Sequence, residues 1–323
     1  MKILVTGCAG FIGSQISALC LRGGHVVIGV DNLNTAYDVR LKEWRLSQLD
    51  GTSGFTFVRG DVVDRPTARQ IFSQHPVDAV VNLAARAGVR GSLADPWVYY
   101  ETNVAGTLNL LEGCREHHVA KFVLASTSSL YGDGPRPFRE DQPTDRPVSP
   151  YAASKKAAEI LCYTYHMLYG LDVTILRYFT VYGPAGRPDM SPFRFIRWIA
   201  EGDPITLYGD GSQERDFTYV DDIAHGTLQA LQPLGYEVIN LGSDRPVAMG
   251  QFIRILERRL ERPARVDRRP AHPADVRATW ADITKARRLL KWAPRTSLED
   301  GLGATVRWYE ENRSWASKID LGE

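Results

Sequence analysis

Three glycines spaced three residues apart lie where an apolar run meets a helical pattern near the start of the chain. The segment KILVTG (2–7) is largely apolar and ends in glycine, which predicts a buried strand. Residues 11–22 then place apolar side chains at helical spacing. Glycine permits the tight turn and close backbone approach that such a junction needs. The chain therefore starts as a strand, a glycine turn and a helix, with glycines at Gly7, Gly10 and Gly13.

Apolar runs and helical patterns keep alternating through the first half of the chain. The runs cover 25–30, 55–60, 78–84 and 121–126, and the helical patterns cover 66–74 and 97–117. Apolar strands that alternate with helices predict a parallel sheet covered on both faces. The predicted fold class is α/β, with a Rossmann-type doubly wound parallel sheet over residues 1–176.

From residue 177 the alternation loosens, and Gly and Pro separate shorter elements. We predict a smaller mixed α/β lobe over 177–323 that mainly binds the substrate. The apolar run near 238–242 is typical of a buried strand, so we expect it to return to the first sheet. The two domains are thus expected to interleave.

Composition and charge exclude several function classes. Lys and Arg total 39 against 38 Asp and Glu, so the basic excess typical of nucleic-acid binders is missing. The four cysteines form no C-x-x-C pair and have no His cluster beside them, which argues against a metal site and favours a reducing cytoplasm. No apolar run reaches the ~18 residues of a membrane span. We expect a cytoplasmic protein without a metal, membrane or nucleic-acid partner.

The glycine turn also fits a dinucleotide-binding fingerprint. Glycines at this junction let backbone N–H groups at the helix start approach a pyrophosphate. Asp31 ends the next predicted strand, 18 residues after Gly13. Its carboxylate can accept hydrogen bonds from the adenosine ribose and repels a 2′-phosphate, so NAD is favoured over NADP. Two further strand ends are placed to contact the same cofactor, at Asp61-Val62 and at Leu83-Ala84-Ala85.

Tyr151 and Lys155 form a Y-x-x-x-K pair just after a predicted helix start. Ser149 is a favourable N-cap and Pro150 suits the first helical position, so the pair lies one turn apart on one face. The ammonium group, a positive nicotinamide and the helix N-terminus all favour the phenolate. Such a tyrosine can take a proton from a sugar hydroxyl. The hydroxyl-rich run at 126–129 ends the fifth strand and is expected to face the same cleft.

Several motifs together resemble the extended short-chain dehydrogenases/reductases that act on nucleotide sugars. The match extends from residue 1 to about 310. Within this group, RYFTVYGPAGRPDM (177–190) is similar to the corresponding segment of the UDP-glucuronate 4-epimerases. The other motifs are TGCAGFIG (6–13), the hydroxyl-rich strand end before Tyr131-Gly132, the Tyr151 and Lys155 pair, and RDFTYVDD (215–222).

The resemblance implies an NAD-dependent enzyme and assigns roles at matching positions. The implied catalytic residues are Thr127, Tyr151 and Lys155. Together with the fingerprint, the expected cofactor contacts are Gly7, Gly10, Phe11, Ile12, Gly13, Asp31, Asn32, Asp61, Val62, Leu83, Ala84, Ala85, Ser126, Tyr151, Lys155, Tyr178 and Val181. The expected substrate contacts are Thr127, Ser128, Ser129, Tyr151, Thr180, Arg187, Arg215 and Asp275.

The resemblance further places Tyr178 and Val181 beside the nicotinamide, Arg215 at the UDP pyrophosphate and Asp275 at the uridine ribose. The family usually has Gln-Pro-Gly-Asp where this chain has His272-Pro273-Ala274-Asp275. The resemblance also implies a homodimer formed by the helices over 97–117 and 151–169.

The residues beside the tyrosine indicate which reaction follows the shared oxidation of the sugar at C4. Related dehydratases carry an Asp-Glu pair, and decarboxylases of UDP-glucuronate carry a Glu at the second position, where this chain has Ser128 and Ser129. We therefore expect interconversion of UDP-glucuronate and UDP-galacturonate by rotation and re-reduction of a 4-keto sugar. Thr180 and Arg187 are expected to hold the carboxylate.

Three alternatives stay open at this point. A UDP-glucose/UDP-galactose 4-epimerase would differ in what Thr180 and Arg187 recognise. A UDP-glucuronate decarboxylase would release CO₂ from the same keto sugar. An NAD-sensing binding protein would keep the fold but lose the tyrosine and lysine pair, which is present here.

Overall fold

The computed structural model describes residues 1–270 and 276–322. Its strands are β1 (Lys2–Thr6), β2 (Val26–Asp31), β3 (Phe55–Arg59), β4 (Ala79–Asn82), β5 (Lys121–Thr127), β6 (Asp172–Tyr178), β7 (Thr180–Tyr182), β8 (Ile205–Tyr208), β9 (Glu214–Tyr219), β10 (Tyr236–Leu241), β11 (Pro246–Ala248) and β12 (Val266–Arg269).

The helices are α1 (Phe11–Arg22), α2 (Val39–Ser47), α3 (Arg65–Gln74), α4 (Val89–Ala94), α5 (Trp97–Tyr100), α6 (Gly106–Glu116), α7 (Pro150–Tyr169), α8 (Ser191–Glu201), α9 (Val220–Gln229), α10 (Met249–Leu260), α11 (Thr284–Leu290), α12 (Leu298–Glu311) and α13 (Arg313–Ala316). A π-helical turn, Glu101–Ala105, joins α5 to α6, and a 3₁₀ turn, Ser128–Tyr131, follows β5. None of the helices within the described residues is long and apolar enough to cross a membrane.

A seven-stranded parallel sheet in the order β10-β6-β5-β4-β1-β2-β3 forms the centre of the molecule. The strand order reverses between β1 and β4, and ligands of open α/β sheets bind outside the carboxyl ends of the strands at such a point. Helices cover both faces, and the strands between them are almost fully buried. The predicted Rossmann-type doubly wound sheet is confirmed.

The second half of the chain contributes one strand to this sheet and builds a smaller lobe. β10 pairs in parallel with β6, from Tyr236 opposite Val173 to Leu241 opposite Tyr178. The position 176/177, where the sequence suggests a division into domains, lies inside β6. The remaining strands form a three-stranded sheet, β11-β9-β7, and a two-stranded sheet, β12-β8. A separate apolar core that includes Phe252 packs α8, α10 and α12 against them.

The helix expected over 97–117 is interrupted by the π-helical turn. Asn103 lies in this turn, where its amide nitrogen donates to the Arg86 carbonyl (3.0 Å) and to Ser154 Oγ (2.9 Å). Its side-chain oxygen accepts from the Arg86 backbone N–H (2.9 Å). The extra residue of the turn directs the side chain inward, which an uninterrupted helix does not do at this position. Asn103 thereby ties the loop after β4 to α7.

α7 begins as the sequence predicts. Ser149 is the N-cap and accepts a hydrogen bond from the Ala152 N–H (3.2 Å), and Pro150 is the first helical residue. The helix ends at Gly170, which adopts the left-handed conformation with φ of +68°. These two caps fix where the face that carries Tyr151 and Lys155 meets the end of β5.

Gly13→Ala is expected to lower the free energy of unfolding by about 1–3 kcal/mol, because the new methyl group overpacks the first turn of the fold. A Cβ on Gly13 would lie 2.1 Å from the Gly7 carbonyl oxygen, a contact that the backbone can relieve only by moving. Urea unfolding followed by circular dichroism measures the change.

Gly250→Ala is the matched control, because a Cβ there has no neighbour closer than 3.5 Å and the residue is helical. Its stability is expected to stay equal or to rise by up to about 1 kcal/mol. Equal effects of the two substitutions would contradict the packing role of Gly13.

Candidate active site

The glycine turn brings β1, α1 and the end of β4 into direct backbone contact. Gly7 has φ of +68°, and a Cβ there would lie 2.9 Å from the Ala84 nitrogen and from the Leu83 carbonyl carbon. Gly10 is the N-cap of α1 and provides no side-chain cap, so the first N–H groups of the helix are left for another acceptor. This turn is therefore a cradle for an anionic group at a helix start.

Asp31 lies directly beside this cradle. Its side chain is 8% exposed, and its two oxygens accept from the Ala9 N–H (3.1 Å) and the Leu33 N–H (2.8 Å). The next residue, Asn32, donates to Asp61 (2.8 Å), which follows the end of the neighbouring strand β3. The carboxylate is thus fixed at the carboxyl end of β2, where a ribose of a bound dinucleotide fits.

The cradle and its carboxylate fit NAD on the structure's own geometry. The glycine turn has no room for a Cβ, the helix start lacks a side-chain cap, and Asp31 is held in place by backbone N–H groups. Val62, which is buried, and the Leu83-Ala84-Ala85 segment lie at the ends of the adjacent strands. The predicted cofactor residues of the first four strands therefore converge at one edge of the sheet.

Thr127, Tyr151 and Lys155 come together where β5 ends against α7. Thr127 lies beside Tyr151, and its hydroxyl is placed to hydrogen-bond the phenol. The Thr127 hydroxyl also donates to Ser129 Oγ (3.1 Å) and accepts from the Ser129 N–H (3.1 Å). Lys155 Nζ donates to the Ala125 carbonyl oxygen (2.8 Å). A strand end and a helix face thus place a phenol, a hydroxyl and an ammonium in one cluster.

Burial opposes charge on both members of the tyrosine and lysine pair. It raises the pKa of the Tyr151 phenol, while the Thr127 hydrogen bond and the charge of Arg187 act to lower it. It lowers the pKa of Lys155 to about 8, while the carboxylate of Glu159 acts to raise it. In the protein alone the phenolate is therefore disfavoured, and Lys155 directs its proton to the Ala125 carbonyl.

Two predicted cofactor residues direct their hydroxyls into the protein. Ser126 Oγ donates to Glu159 Oε1 (2.6 Å), and the Tyr178 hydroxyl hydrogen-bonds Thr227 Oγ1 of α9 (2.7 Å). Their hydroxyls are therefore engaged in the core, and contact with a cofactor would come from the backbone or the ring. Val181 is half-buried on β7 and packs against the core of the first domain.

Arg187 reaches the catalytic cluster, but it already has an acidic partner. Its Nε and Nη2 atoms donate to the two oxygens of Asp189 (3.0 and 2.5 Å), and Nη2 also donates to the Ala87 carbonyl oxygen (3.2 Å). Its side chain is 22% exposed, and its charge acts on Tyr151. The sequence analysis expects Arg187 to hold a sugar carboxylate and does not predict its ion pair with Asp189, for which the Arg-Pro-Asp order is the available signal.

The remaining predicted substrate residues lie in the 3₁₀ turn, on β7 and on β9, or outside the described residues. Ser128 and Ser129 are half-buried in the 3₁₀ turn, and Thr180 is half-buried at the start of β7. Arg215 lies on β9 and donates to the Glu214 carbonyl oxygen (2.8 Å). Asp275 and the preceding His272-Pro273-Ala274 fall outside the described residues.

Sequence reasoning missed Arg45, which joins the glycine turn to the loop before Arg187. The side chain is buried and donates to the carbonyl oxygens of Ala185 (2.6 Å), Gly186 (3.1 Å) and Ala9 (3.3 Å). It also donates to the Tyr37 hydroxyl (2.7 Å). A charged residue in a polar helix gives no sequence signal of burial, since such residues are usually on the surface.

The chain was compared with protein-family models, and residues 3–242 match the model of the NAD dependent epimerase/dehydratase family. The chain is 56% identical over 310 residues to a UDP-glucuronate 4-epimerase of Thermodesulfobacterium geofontis, with 96% of each chain covered.

Solved structures of UDP-sugar 4-epimerases have the same fold as this chain. A UDP-glucuronic acid 4-epimerase from Bacillus cereus, solved with UDP-glucuronic acid and NAD, is 39% identical with a TM-score of 0.91, covering 97% of this chain and 100% of that one. A UDP-glucose 4-epimerase from Thermotoga maritima, solved with UDP-glucose, is 33% identical with a TM-score of 0.89 over 97% and 100%. With its glycine turn, tyrosine and lysine pair and parallel sheet, this chain belongs to the NAD dependent epimerase/dehydratase family.

Proposed function

We propose that the protein is an NAD-dependent 4-epimerase that interconverts UDP-glucuronate and UDP-galacturonate. The observation that carries this proposal is the position of Arg187 near the catalytic tyrosine. Arg187 Nη2 donates to the Ala87 carbonyl oxygen (3.2 Å), which also accepts from the Tyr99 hydroxyl (3.4 Å), and the Tyr99 ring packs edge-on against Tyr151 with centroids 6.1 Å apart. A general base for a sugar hydroxyl and a cation for a sugar carboxylate are thereby within one cleft. The relative with 56% identity is named a UDP-glucuronate 4-epimerase, which supports the same substrate.

The cofactor is held by the cradle at the start of α1 and by Asp31. When bound, NAD accepts a hydride from C4 of the sugar and returns it to the opposite face. The N–H groups of Phe11 and Ile12 at the uncapped start of α1 would bind the pyrophosphate of the cofactor. The other proposed cofactor contacts are those at the ends of β2 to β7: Asn32, Asp61, Val62, Leu83, Ala84, Ala85, Ser126, Tyr178 and Val181.

Tyr151 takes the proton from O4 of the sugar as C4 is oxidised, and later returns it. Because burial raises the pKa of this phenol, the proton transfer depends on added positive charge in the occupied site. Thr127 holds the phenol by its hydrogen bond and shares the proton. Ser128 and Ser129 are neutral at physiological pH, so elimination of water has no acid and base pair here. The 4-keto sugar therefore rotates in the site and is reduced again on its opposite face.

Arg187 holds the sugar carboxylate away from the geometry that loses CO₂. The 4-keto form of a glucuronate is a β-keto acid, which decarboxylates when its C5–carboxylate bond is perpendicular to the ring carbonyl plane. Asp189 occupies Nε and Nη2 of Arg187 and fixes the plane of its guanidinium group. The sugar carboxylate then fits at Nη1, with the Thr180 hydroxyl as the second donor.

Neutral UDP-glucose is the second candidate substrate, because Asp189 already neutralises Arg187. A paired guanidinium attracts a further carboxylate less strongly than a free one. The structural similarity to a UDP-glucose 4-epimerase is consistent with such a reaction. The comparison of the two sugars in an Arg187 variant separates the candidates.

We further propose a homodimer that is formed through α5, α6 and α7. Apolar side chains at helical spacing are exposed on these adjacent helices, and a monomer would leave them in water. They are Trp97 (77% exposed), Leu108 (38%), Ile160 (55%) and Leu168 (66%).

A cytoplasmic location is also part of the proposed function. It is supported by four buried, free cysteines at Cys8, Cys20, Cys114 and Cys162.

Tyr151→Phe is expected to lower kcat by about 10²–10⁴-fold, the usual contribution of a positioned acid or base. Binding of UDP to the variant is expected to stay unchanged, because the lost atom is the phenol oxygen. NMR of UDP-glucuronate turnover measures kcat, and calorimetry measures UDP binding. Tyr163→Phe, an exposed tyrosine on the same helix, is the control and keeps full turnover. An equal loss of UDP binding and turnover would indicate a structural role for Tyr151.

Arg187→Ala is expected to weaken UDP-glucuronate binding by about 1.5–3 kcal/mol, the contribution of a charge-assisted hydrogen bond. UDP-glucose binding changes much less, because that sugar has no carboxylate. Isothermal titration with both nucleotide sugars measures the difference. Arg187→Lys keeps the charge without the fork and separates charge from geometry. The proposal of a carboxylate clamp fails if both sugars lose affinity equally and no decarboxylated UDP-pentose forms.

Ile160→Asp is expected to convert the dimer to a monomer, because it places a charge at the centre of the exposed apolar face. Light scattering coupled to gel filtration measures the mass. Val266→Asp is the control, because Val266 is 41% exposed on the smaller lobe. A wild-type protein that runs as a monomer would refute the dimer outright.

A further inference from the structure

A third functional side chain lies on the face of α7 that carries the catalytic pair. Tyr151, Lys155 and Glu159 follow one another at intervals of four residues, which places them along one face of the helix. Glu159 is 3% exposed. Carboxylates are rarely buried to this extent unless they are paired, so this position has a specific electrostatic role.

Glu159 joins the ends of two central strands. It accepts from Ser126 Oγ (2.6 Å) and from Nε and Nη2 of Arg177 (3.0 and 2.8 Å). Ser126 directly precedes Thr127 at the end of β5, and Arg177 precedes Tyr178 at the end of β6. The Glu159 carboxylate therefore fixes two strand ends: the end of β5, which carries Thr127, and the end of β6, which leads to Thr180.

The Arg177 guanidinium extends this arrangement across the sheet. Its Nη1 donates to the Tyr131 hydroxyl (3.0 Å), which in turn donates to Asn240 Oδ1 (2.7 Å) on β10. The Asn240 N–H donates to Glu140 (2.8 Å). Carboxylates thus lie at both ends of this network, Glu140 at one and Glu159 at the other, and Glu159 is the one that lies one helical turn from Lys155.

Lys155 is itself 4% exposed, and its hydrogen-bond acceptor is the neutral Ala125 carbonyl. Burial lowers the pKa of Lys155 to about 8, and the carboxylate of Glu159 opposes this change. Other titratable or charged groups that face this region are Tyr151 and Cys162 on α7, Cys114 on α6, Tyr131 on the 3₁₀ turn, Tyr99 on α5, Arg177 on β6, Tyr236 on β10 and Glu140. Lys156 also lies 3.7 Å from Glu159, with its Nζ on Thr144 Oγ1.

Most of these neighbours are uncharged at neutral pH. Burial raises the pKa of Cys114 and Cys162, and it raises the pKa of Tyr131 to about 12. Tyr99 and Tyr151 are shifted in the same direction. Among the described groups named above, Glu159 is then the anion one helical turn from Lys155, whereas Arg177 and Lys156 are cations and Glu140 contacts the Asn240 N–H on β10.

We propose that Glu159 is a positioning residue for the catalytic pair: its carboxylate keeps the buried Lys155 protonated and, through Ser126 and Arg177, fixes the strand ends that carry Thr127 and Thr180. This proposal rests on the proposed epimerase function for the role of the pair in catalysis. The charge state of Lys155, however, is a property of the folded protein that is measured without any turnover.

The test compares Glu159→Gln with wild type by NMR of protein labelled with ¹³C at its lysine side chains. The chain has eight lysines, and a Lys155→Arg spectrum assigns the Lys155 signal. Glutamine keeps acceptor and shape but removes the charge, so the pKa of Lys155 is expected to fall by about one unit from its wild-type value. Lys155 is protonated below its pKa, so the alkaline limb of kcat moves to lower pH by the same amount.

Thr144→Val is the matched control. Thr144 lies in the same buried network, where its hydroxyl accepts from Lys156 (2.8 Å) and Arg177 (3.4 Å), but it is neutral and makes no contact with Ser126 in this network. It is expected to leave both the Lys155 signal and the pH limb unchanged. An unchanged Lys155 titration in Glu159→Gln, or an equal shift in Thr144→Val, overturns the proposal.

Glu159→Gln leaves Arg177 buried with no full counter-charge, which can prevent folding. The double variant Glu159→Gln/Arg177→Gln removes both charges and is expected to show a smaller fall in the Lys155 pKa, because the loss of the Arg177 cation acts in the opposite direction. If wild type does not turn over UDP-glucuronate, the proposed function fails while the NMR titration still decides the role of Glu159. If turnover is normal and the titration is unchanged, the proposal for Glu159 fails alone.

Discussion

The close approach of the Gly7 carbonyl to Gly13 is the constraint on which the arrangement of the site depends. A Cβ on Gly13 would lie 2.1 Å from that oxygen, so the first helix can start this near to β1 only with glycine there. The same turn lies against the Leu83 and Ala84 backbone at the end of β4. The start of α1 is therefore brought to the point where the strand order reverses, and every other strand end in the sheet opens on the same edge.

Much of this could be predicted from the sequence, because the signals are local. The glycine turn, the buried strands and the start of α7 at Ser149 and Pro150 each depend on residues within a few positions of one another. The π-helical turn was not predictable in this way. It is stabilised by Asn103 bonding to Arg86 and Ser154, which are 17 and 51 residues away, and helical periodicity contains no trace of such contacts.

The same reason explains which parts of the site sequence reasoning missed. Buried charged groups such as Arg45 are solvated by distant carbonyl groups, in this case those of Ala185 and Gly186, 140 and 141 residues away. The motif predicts that Arg187 holds the substrate carboxylate, and the ion pair with Asp189 changes the charge that its guanidinium group offers. A motif identifies candidate functional residues. The charge balance and the orientation of each side chain depend on partners that the fold brings into contact with it.

Burial disfavours the charged form of both Tyr151 and Lys155, so the ionisation of the catalytic cluster depends on charges that a bound ligand brings. It raises the pKa of the Tyr151 phenol and lowers that of Lys155, so each group is pushed toward its neutral form. Within the protein, the carboxylate of Glu159 opposes the fall in the Lys155 pKa, and the charge of Arg187 opposes the rise in the Tyr151 pKa. The remaining stabilisation of the phenolate has to come from a positive charge in the occupied cleft. The base is therefore weak in the empty protein and becomes effective when a positive charge occupies the site.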